Sequence, residues 1–483
     1  MVFCGRPSKS CANCRKRRIK CDQVEPACSQ CLRAKKICPG YRDQLALLFR
    51  EQSEEVARKV SSQRTHNSKK GNWTSPVPEN PPKATHSPTI SSVEEEGIRF
   101  VLERYLNFPL FAPGNCLRSS VLNPNDRSHN VILDAMTSVG LAGLAHVKND
   151  GNLMVTARHK YLSALRTTMA SIHDSVQVEL SQTLRVVILL SIFESVTCDT
   201  SSRDAWASHF DGAAAILKVR SPHGPRQSDE AINALLIWFQ IAIGCIQRRK
   251  NLPLDMIEYP ESCRVYLSEV EQPACSLASI FTRFIAMWAS RGHQSSAHSD
   301  TIIQYALGFE SDLKNWAMEL PESWAFRPVP SSGEVFNGYM EHDYPNRFIA
   351  NSWSWYRTIR MLVNEVLVEY LTSRSCSAAE YELRLADSSM STLSQLSREI
   401  CSSASFFLQD FDTHRDTSRF HIHGAFTLLW PLKVVGSSRG SSEALHLWAV
   451  GTLQNIWQCL GIRMALEMAN QVTEDRRRMI FPV

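Results

Sequence analysis

Two copies of one cysteine pattern stand near the start of this chain, and they constrain its fold more than any other feature. Each copy reads C-x2-C-x6-C, and the six cysteines are Cys11, Cys14, Cys21, Cys28, Cys31 and Cys38. A C-x2-C pair places two thiolates on one tight turn, where they can share a metal ion. The duplication predicts two similar half-sites that fold face to face.

The six thiolates fit zinc in two ways. Each half supplies three ligands, one fewer than tetrahedral zinc requires. The set can therefore hold one zinc ion with spare thiolates, or two zinc ions that share two bridging thiolates. Cys4 is a further candidate for a spare ligand.

Three other uses of the cysteines fit less well than zinc. A disulfide framework needs an oxidising compartment, and the segment Met1-Val2-Phe3-Cys4 does not begin a secretory signal. An iron-sulfur cluster favours an apolar pocket, whereas this segment is rich in lysine and arginine. A thiol redox pair does not require the duplicated spacing. We therefore predict a zinc site.

The residues between the cysteines are strongly basic. Residues 1–42 hold eleven Lys and Arg against two acids, a net charge of +9, whereas the whole chain carries +5. The cations nearest the cysteines are Arg15, Lys16, Arg17, Arg18, Lys20, Arg33, Lys35 and Lys36. Such a field favours a phosphate-bearing partner, and nuclear import is a compatible second use of the same charges. Because the segment has only Phe3 and Tyr41 as stacking aromatics, double-stranded DNA is preferred over single-stranded RNA.

Three stretches together resemble the Zn(II)2Cys6 binuclear cluster of fungal transcription regulators. They are Cys14–Asp22, with its basic run, Pro26–Cys31, with its loop proline, and Cys38–Tyr41. The resemblance implies two zinc ions bridged by two of the six cysteines. By position these bridging residues would be Cys11 and Cys28, with Cys14 and Cys21 completing one zinc site and Cys31 and Cys38 the other.

The same resemblance implies how the module would bind DNA. The end of the first short helix would enter the major groove and read a CGG-like triplet, with Arg17 and Arg18 facing the bases and Lys20 or Arg15 facing the backbone. The chemistry agrees, since guanine offers two adjacent acceptors that suit Arg or Lys. The position of Arg18 is more often Lys in the family, and the longer, forked side chain can shift the base register. Lys16, Lys20, Arg33, Lys35 and Lys36 are expected to contact phosphates.

Composition divides the rest of the chain. Residues 1–42 form the metal module, and residues 43–60 a short helical extension in which Gln52 and Glu55 interrupt the heptad pattern. A long zipper is therefore excluded, while a homodimer stays open. Residues 61–92 are rich in Ser, Thr, Asn, Lys and Pro and predict a disordered linker.

Residues 93–483 are predicted to form an all-α body. Leu184–Ile192 shows helical periodicity with apolar residues on its other faces too, which predicts a central helix. Further apolar stripes lie in Trp206–Leu217, Leu235–Ile246, Trp353–Tyr370 and Leu445–Leu460. Loops are expected near residues 291–300 and 320–347, where Gly, Ser and Pro gather.

Several body segments resemble the fungal-specific transcription factor domain that accompanies such clusters. They are Thr183–Glu194, Trp206–Ala213, Trp355–Arg357 with Asn364 and Glu365, and Leu428–Leu432. The resemblance implies a regulatory domain and no known reaction.

No catalytic or membrane-spanning pattern is found. No continuous apolar run reaches the roughly eighteen residues of a spanning helix, so no membrane partner is predicted. The pairs His209/Asp211 and His421/His423 lack further groups at metal spacing and are interpreted as structural. Gly-rich phosphate loops and the G-x-S-x-G and H-E-x-x-H motifs are absent from the sequence, and Glu94–Glu96 is interpreted as a solvated helix start. We therefore predict that the protein is not an enzyme.

One group of C-terminal residues has two interpretations. Gly461, Met464, Met468, Trp448 and Trp457 could line a small-molecule pocket. Packing in a helical core explains the same residues without a ligand, and it is the preferred interpretation.

The sequence thus predicts a small Zn2Cys6 binuclear cluster domain, built of two short helix-loop halves, followed by a large all-α regulatory domain. The predicted function is a nuclear, zinc-dependent, sequence-specific DNA-binding regulator of RNA polymerase II transcription, with the transcription machinery or co-regulators as partners. Two alternatives stay open. They are an enzyme with a zinc-stabilised appendage, and an interaction scaffold that uses the basic module on RNA or acidic partners without base discrimination.

Overall fold

The structure is a computed structural model in which the chain divides into two units, Met1–Thr85 and His86–Val483. The described residues are 10–17, 19–22, 24, 27–36, 38–39, 92–104, 127–173, 180–198, 205–220, 225, 228–290, 299–330, 340–372, 380–408 and 422–480. The predicted extension at 43–60 and nearly all of the predicted linker at 61–92 lie outside these residues. The domain boundaries drawn from sequence therefore stay predictions.

The first unit contains two five-residue helices, α1 (Ala12–Lys16) and α2 (Ser29–Arg33). Each begins directly after the first cysteine of a C-x2-C pair, and the two helices contact each other. Among the described residues of this unit, the buried side chains are all cysteines, with Ile19 and Cys38 packed against them. The module therefore has no conventional hydrophobic core in its described part.

The described part of the second unit is mostly α-helical, as predicted. Its helices are α3 (Ser92–Arg104), α4 (Arg127–Lys148), α5 (Gly151–His173), α6 (Leu180–Thr197), α7 (Ala205–Arg220), α8 (Ser228–Arg248), α9 (Leu254–Ile257), α10 (Tyr259–Arg264), α11 (Pro273–Ser290), α12 (Ser299–Met318), α13 (Arg347–Thr372), α14 (Glu380–Leu408), α15 (Ile422–Gly436), α16 (Glu443–Leu460) and α17 (Arg463–Ile480). They share one continuous apolar core.

The apolar patterns in the sequence correctly locate several core helices. Helix α6 is buried on nearly every face between Leu184 and Val196, which confirms its predicted central position. Helix α7 contains the apolar stripe Trp206–Leu217 and ends at Arg220, directly before Ser221-Pro222 in the sequence. The ring of Phe239 on α8 stacks on Trp355 of α13 at a centroid distance of 3.9 Å, so aromatic contact joins helices far apart in sequence.

Two helical segments, Val131–Lys148 and Ser228–Arg248, are long and apolar enough to cross a membrane by length and composition alone. Neither segment is a continuous apolar run, because polar residues interrupt both. Core helices pass the same test, and 67% and 72% of the most apolar eighteen-residue windows of these two segments is buried inside the fold. Their burial favours a role in the core.

The segment predicted as a loop at 320–347 contains regular structure. A single turn of 3-10 helix (Glu322–Trp324) precedes an antiparallel hairpin of β1 (Arg327–Pro330) and β2 (Met340–Asp343). Every residue of β1 is exposed, and two of its four residues are prolines, which cannot donate ladder hydrogen bonds. Such a short edge strand lacks the alternating apolar pattern by which strands are recognised.

The hairpin leads into a buried ionic cluster around Arg357 of α13. This guanidinium is 0% exposed, and its Nε donates to Glu399 Oε2 at 2.9 Å, while Nη1 donates to the Tyr344 hydroxyl at 2.6 Å. Its central carbon lies 5.0 Å from the ring centroid of Phe326, within cation-π range. Burial and the nearby Arg357 charge lower the pKa of His342 to about 4, so this neighbouring ring stays neutral at physiological pH.

The acidic start of α3 is less solvated than predicted. Glu96 forms an ion pair with Lys148 on α4, and Glu94 lies 3.1 Å from Lys160 on α5. Both partners are more than fifty residues away along the chain. Sequence inspection therefore could not distinguish these residues from a freely solvated helix start.

Gly461, which ends α16, provides a test of the packing. It has a φ of +70°, and a Cβ built there would lie 2.4 Å from the carbonyl oxygen of Gly143. Gly461→Ala should therefore lower the free energy of unfolding by roughly 2–4 kcal/mol, from left-handed backbone strain plus overpacking. Gly451→Ala is the matched control, because Gly451 lies within the same helix and a Cβ there meets nothing within 4 Å. Chemical denaturation should show the first variant destabilised and the second unchanged or stabilised, and equal effects would contradict this account.

Candidate metal centre and nucleic-acid interface

The six predicted cysteine ligands converge on one small centre. Their sulfur atoms form two groups of four, and within each group all sulfurs lie within 4.8 Å of one another. One group is Cys11, Cys14, Cys21 and Cys28, and the other is Cys11, Cys28, Cys31 and Cys38. Since Cys11 and Cys28 belong to both groups, the geometry fits two four-coordinate ions with two shared thiolates.

The sulfur spacing fits zinc. The Sγ atoms of Cys11 and Cys28 are 3.7 Å apart, and those of Cys14 and Cys28 are 3.6 Å apart. A tetrahedron with zinc-sulfur bonds of about 2.3 Å has edges of about 3.8 Å. A disulfide would require about 2.05 Å, and all six cysteines are free. These distances support the two-zinc arrangement over one site with spare thiolates.

The two halves of the module repeat each other at an offset of seventeen residues. The backbone N–H of Cys14 donates to Cys11 Sγ at 3.4 Å, and that of Cys31 donates to Cys28 Sγ at 3.4 Å. The chain then turns alike in both halves, since Ile19 donates to the Cys14 carbonyl and Lys36 donates to the Cys31 carbonyl. The duplicated spacing therefore encodes a duplicated local fold, with the two shared sulfurs at equivalent places.

Two polar residues support the centre and were not singled out from the sequence. The Asn13 side-chain amide donates to Cys31 Sγ at 3.5 Å, across the two halves. The Asp22 carboxylate accepts the Ser29 N–H at 3.1 Å, at the start of α2. Hydrogen bonds from Ser29 lower the pKa of the Asp22 carboxyl below its usual value. Two sequence features could have identified Asp22. Asp is a helix-capping residue type, and this one directly follows the ligand Cys21.

The Cys28 thiol needs a metal to become anionic at neutral pH. Burial raises the pKa of the Cys28 thiol above its usual value, so this group is protonated at neutral pH without an ion. Zinc reverses this preference because a coordinating thiol is deprotonated. Zinc binding therefore releases protons, and the free energy of binding is coupled to folding of the module.

The predicted DNA-contacting cations lie on the surface of this centre where they are described. Lys16, Arg17, Lys20, Arg33, Lys35 and Lys36 are all exposed. Arg18 lies outside the described residues, and for Arg15 only the backbone, within α1, is described. The described cations lie at or just after the C-terminal ends of α1 and α2, where the helix dipole favours positive charge.

The candidate catalytic pairs do not assemble into a shared site where they are described. His209 is buried, and its Nε2 lies 3.2 Å from the Tyr161 hydroxyl. Asp211 instead accepts two hydrogen bonds from Arg248, at 2.7 and 2.8 Å. His421 and the side chain of His423 lie outside the described residues. The described members therefore have the structural roles that the sequence analysis preferred.

Comparison with known protein families agrees with both units. Residues 9–46 match the fungal Zn(2)-Cys(6) binuclear cluster domain, which binds two zinc ions. Residues 73–323, just over half of the chain, match the fungal specific transcription factor domain. The chain therefore belongs to the fungal Zn2Cys6 transcription factors, a family of zinc-dependent, sequence-specific DNA-binding transcription regulators.

Individual relatives match only over short segments. White-opaque regulator 2 of Candida albicans is 44% identical over 52 residues, which is 11% of this chain and 12% of the relative. An uncharacterized transcriptional regulatory protein of Schizosaccharomyces pombe is 50% identical over 36 residues, which is 8% of this chain and 7% of the relative. The matches thus span about a tenth of each relative's length. No solved structure matches the chain.

Proposed function

We propose that this protein regulates RNA polymerase II transcription in the nucleus by reading CGG-like triplets in the major groove of DNA. The observation that carries the proposal is the set of exposed cations at the end of α1, on a module whose buried side chains, among the residues described, are cysteines. Fungal zinc-cluster transcription factors are typically nuclear and generally non-enzymatic. The proposal assigns the same location and class of activity to this chain.

Two groups of cations would have different roles on DNA. Arg17 and Arg18, directly after α1, would donate to guanine N7 and O6, the pair of acceptors that Arg reads in the major groove. The positioning group would contact phosphates, which set the register of the module without reading sequence. This positioning group comprises Arg15, Lys16, Lys20, Arg33, Lys35 and Lys36.

The division of roles gives a direct test in the full-length, zinc-loaded chain. Arg17→Ala should cost about 1–3 kcal/mol on a duplex carrying the selected triplet and relax preference at one base position. Lys36→Ala should weaken binding to all duplexes alike and reduce the salt dependence by about one phosphate contact. Fluorescence anisotropy on specific and scrambled duplexes at several salt concentrations measures both effects.

Arg17→Lys is the matched control for the base-reading role. It keeps the charge but removes the forked donor geometry, so it should retain binding to scrambled duplexes while losing part of the specific affinity. Equal losses on specific and scrambled DNA for Arg17→Ala would assign Arg17 to the phosphate backbone instead.

The remaining partners follow from this function. We propose that the helical unit recruits co-regulators or the transcription machinery, because it lacks the concentrated positive charge of the module. A homodimer would make the preferred DNA site a pair of triplets at fixed spacing, and a monomer would prefer one triplet. Site selection from random duplexes distinguishes the two.

A further inference from the structure

A cavity lies among six helices of the second unit. Helices α6, α7, α8, α13, α15 and α17 supply its walls, and its volume is about 90 Å³. Protein interiors are otherwise close-packed, and about 10–15 Å³ suffices to hold one water molecule. The space is therefore large enough for a small organic ligand.

The walls of the cavity are apolar, aromatic and uncharged. None of its nineteen lining residues is Asp, Glu, Lys, Arg or His. Five of them are aromatic, namely Trp206, Phe210, Trp355, Phe426 and Trp430. Burying an ionised group against such walls is costly, so the cavity favours a neutral molecule with aromatic or other flat apolar surface.

Two serine hydroxyls that line the cavity already have hydrogen-bond partners. Ser191 donates its hydroxyl to the Ile188 carbonyl at 2.7 Å, and Ser195 donates to the Ser191 carbonyl at 3.0 Å. Asn351 differs from these serines. It is 2% exposed, and its side-chain Oδ1 has no hydrogen-bond partner.

An unpaired buried acceptor costs free energy that a hydrogen bond restores. Asn351 lies on α13 and lines the same cavity as the aromatic rings. Because Oδ1 is itself buried, a small rotation of the side chain would bring it within reach of a ligand N–H or O–H donor. Gln247 is the one lining residue that is exposed, and it gives a route from solvent.

We propose that this cavity binds a neutral aromatic small molecule carrying one hydrogen-bond donor, with Asn351 as its polar anchor. Met464 and Met468 of α17 close one side of the cavity, and flexible methionines adapt to ligands of different outline. The ligand contacts α6, α7 and α8 from the earlier part of the unit's sequence and α13, α15 and α17 from its later part. Its binding therefore stabilises their packing by mass action. The proposal concerns the helical unit alone and is independent of how the module reads DNA.

Three related dyes test the proposal on the full-length, zinc-loaded protein. N-phenylnaphthylamine is neutral, aromatic and carries one N–H donor, and it fluoresces more strongly in apolar surroundings. Anilinonaphthalene sulfonate adds a negative charge to the same skeleton, and benzylnaphthalene replaces the N–H by a methylene group. Titration gives the affinities of the two fluorescent amines, and displacement of the neutral amine gives that of benzylnaphthalene.

The expected order of affinity follows from the walls and the anchor. N-phenylnaphthylamine should bind saturably at one molecule per chain and raise the thermal midpoint of the helical unit. The sulfonate should bind at least about tenfold more weakly because its charge would be buried. Benzylnaphthalene should bind about three- to tenfold more weakly because it lacks the donor.

Variants then locate the site. Asn351→Leu should lower the affinity for N-phenylnaphthylamine and remove its advantage over benzylnaphthalene. Ser354→Ala is the matched control, since Ser354 lies on the same helix with a buried, unpartnered hydroxyl but does not line the cavity. This control should leave all three affinities unchanged.

The comparison of dyes on the unmodified chain decides the outcome even where a variant fails to fold. Absence of saturable binding, equal affinity for the sulfonate, or equal affinity for benzylnaphthalene would each overturn the proposal. An Asn351→Leu protein that folds and keeps the preference for the N–H donor would overturn the assignment of the anchor.

Discussion

Replacement of Cys28 by serine is expected to unfold the N-terminal module and reduce DNA binding to a non-specific level. The Cys28 sulfur belongs to both four-sulfur groups and accepts the N–H of Cys31, in the first turn of α2. One substitution therefore removes a ligand from each zinc ion. Structural zinc provides on the order of 10–16 kcal/mol of folding free energy in small metal-dependent domains. The module has no apolar core among its described residues with which to compensate.

Native mass spectrometry and duplex binding measure this effect together. The unmodified chain should carry two zinc ions, and Cys28→Ser should carry fewer than one on average. Cys38→Ser removes a ligand from only one group, so it should retain more zinc than Cys28→Ser. Cys459→Ser, in the helical unit, controls for the loss of a thiol and should keep both ions. Two zinc ions retained by Cys28→Ser would show that its sulfur is not shared.

The second large effect is expected at the ionic cluster of the helical unit. Glu399→Leu removes the carboxylate that pairs with Arg357, whose side chain is 0% exposed. Arginine stays charged in proteins, so the variant leaves an unpaired buried cation. Breaking a buried pair in this way costs about 3–5 kcal/mol. Denaturant unfolding of the helical unit should show this loss.

A double variant tests whether the unpaired charge is the cause. Replacing a whole buried pair by apolar residues is often neutral, so Arg357→Met combined with Glu399→Leu should recover most of the lost stability. Arg327→Met is the matched control, because the Arg327–Asp343 pair is largely exposed and such pairs contribute about 0–1 kcal/mol. A double variant as unstable as Glu399→Leu alone would assign the effect to packing around Glu399.

The metal centre was the part most fully predicted from sequence. Six cysteines at a duplicated spacing admit few arrangements, and the local turns repeat because the local sequence repeats. The spacing alone left open one zinc or two. The sulfur distances and the membership of Cys11 and Cys28 in both groups agree with the arrangement that the family resemblance implied.

In the helical unit, the structural features that depend on local sequence pattern were predicted. The features that depend on contacts between distant residues were not. Leu184–Ile192 identified α6 because a helix that is apolar on all faces has to be buried. Strand β1 of the hairpin was missed because two of its four residues are prolines and all four are exposed, so it has no alternating apolar pattern. The pairing of Glu96 with Lys148 depends on how α3 and α4 meet, which no local pattern specifies.

The cavity, too, could be predicted from the sequence only in part. Met464 and Met468 were noted as candidates for a pocket, yet the residues that give it chemical character come from other helices. Asn351 is polar in an otherwise ordinary helical stretch, and only the fold brings it to the same cavity as Trp355, Trp206 and the methionines. The preferred interpretation of the two methionines as packed core is therefore incomplete, because they also line an open space.

Selection of binding sites from random duplexes by the full-length chain, with zinc and with a chelator, tests the central claim most directly. A CGG-like triplet should be enriched with zinc, and that enrichment should be lost on chelation. Because Arg17 and Arg18 are assigned to base reading, the enriched sequence should be rich in guanine at their contact positions. A chain that takes up two zinc ions yet enriches no sequence would contradict the account and leave the module as a basic surface without base discrimination.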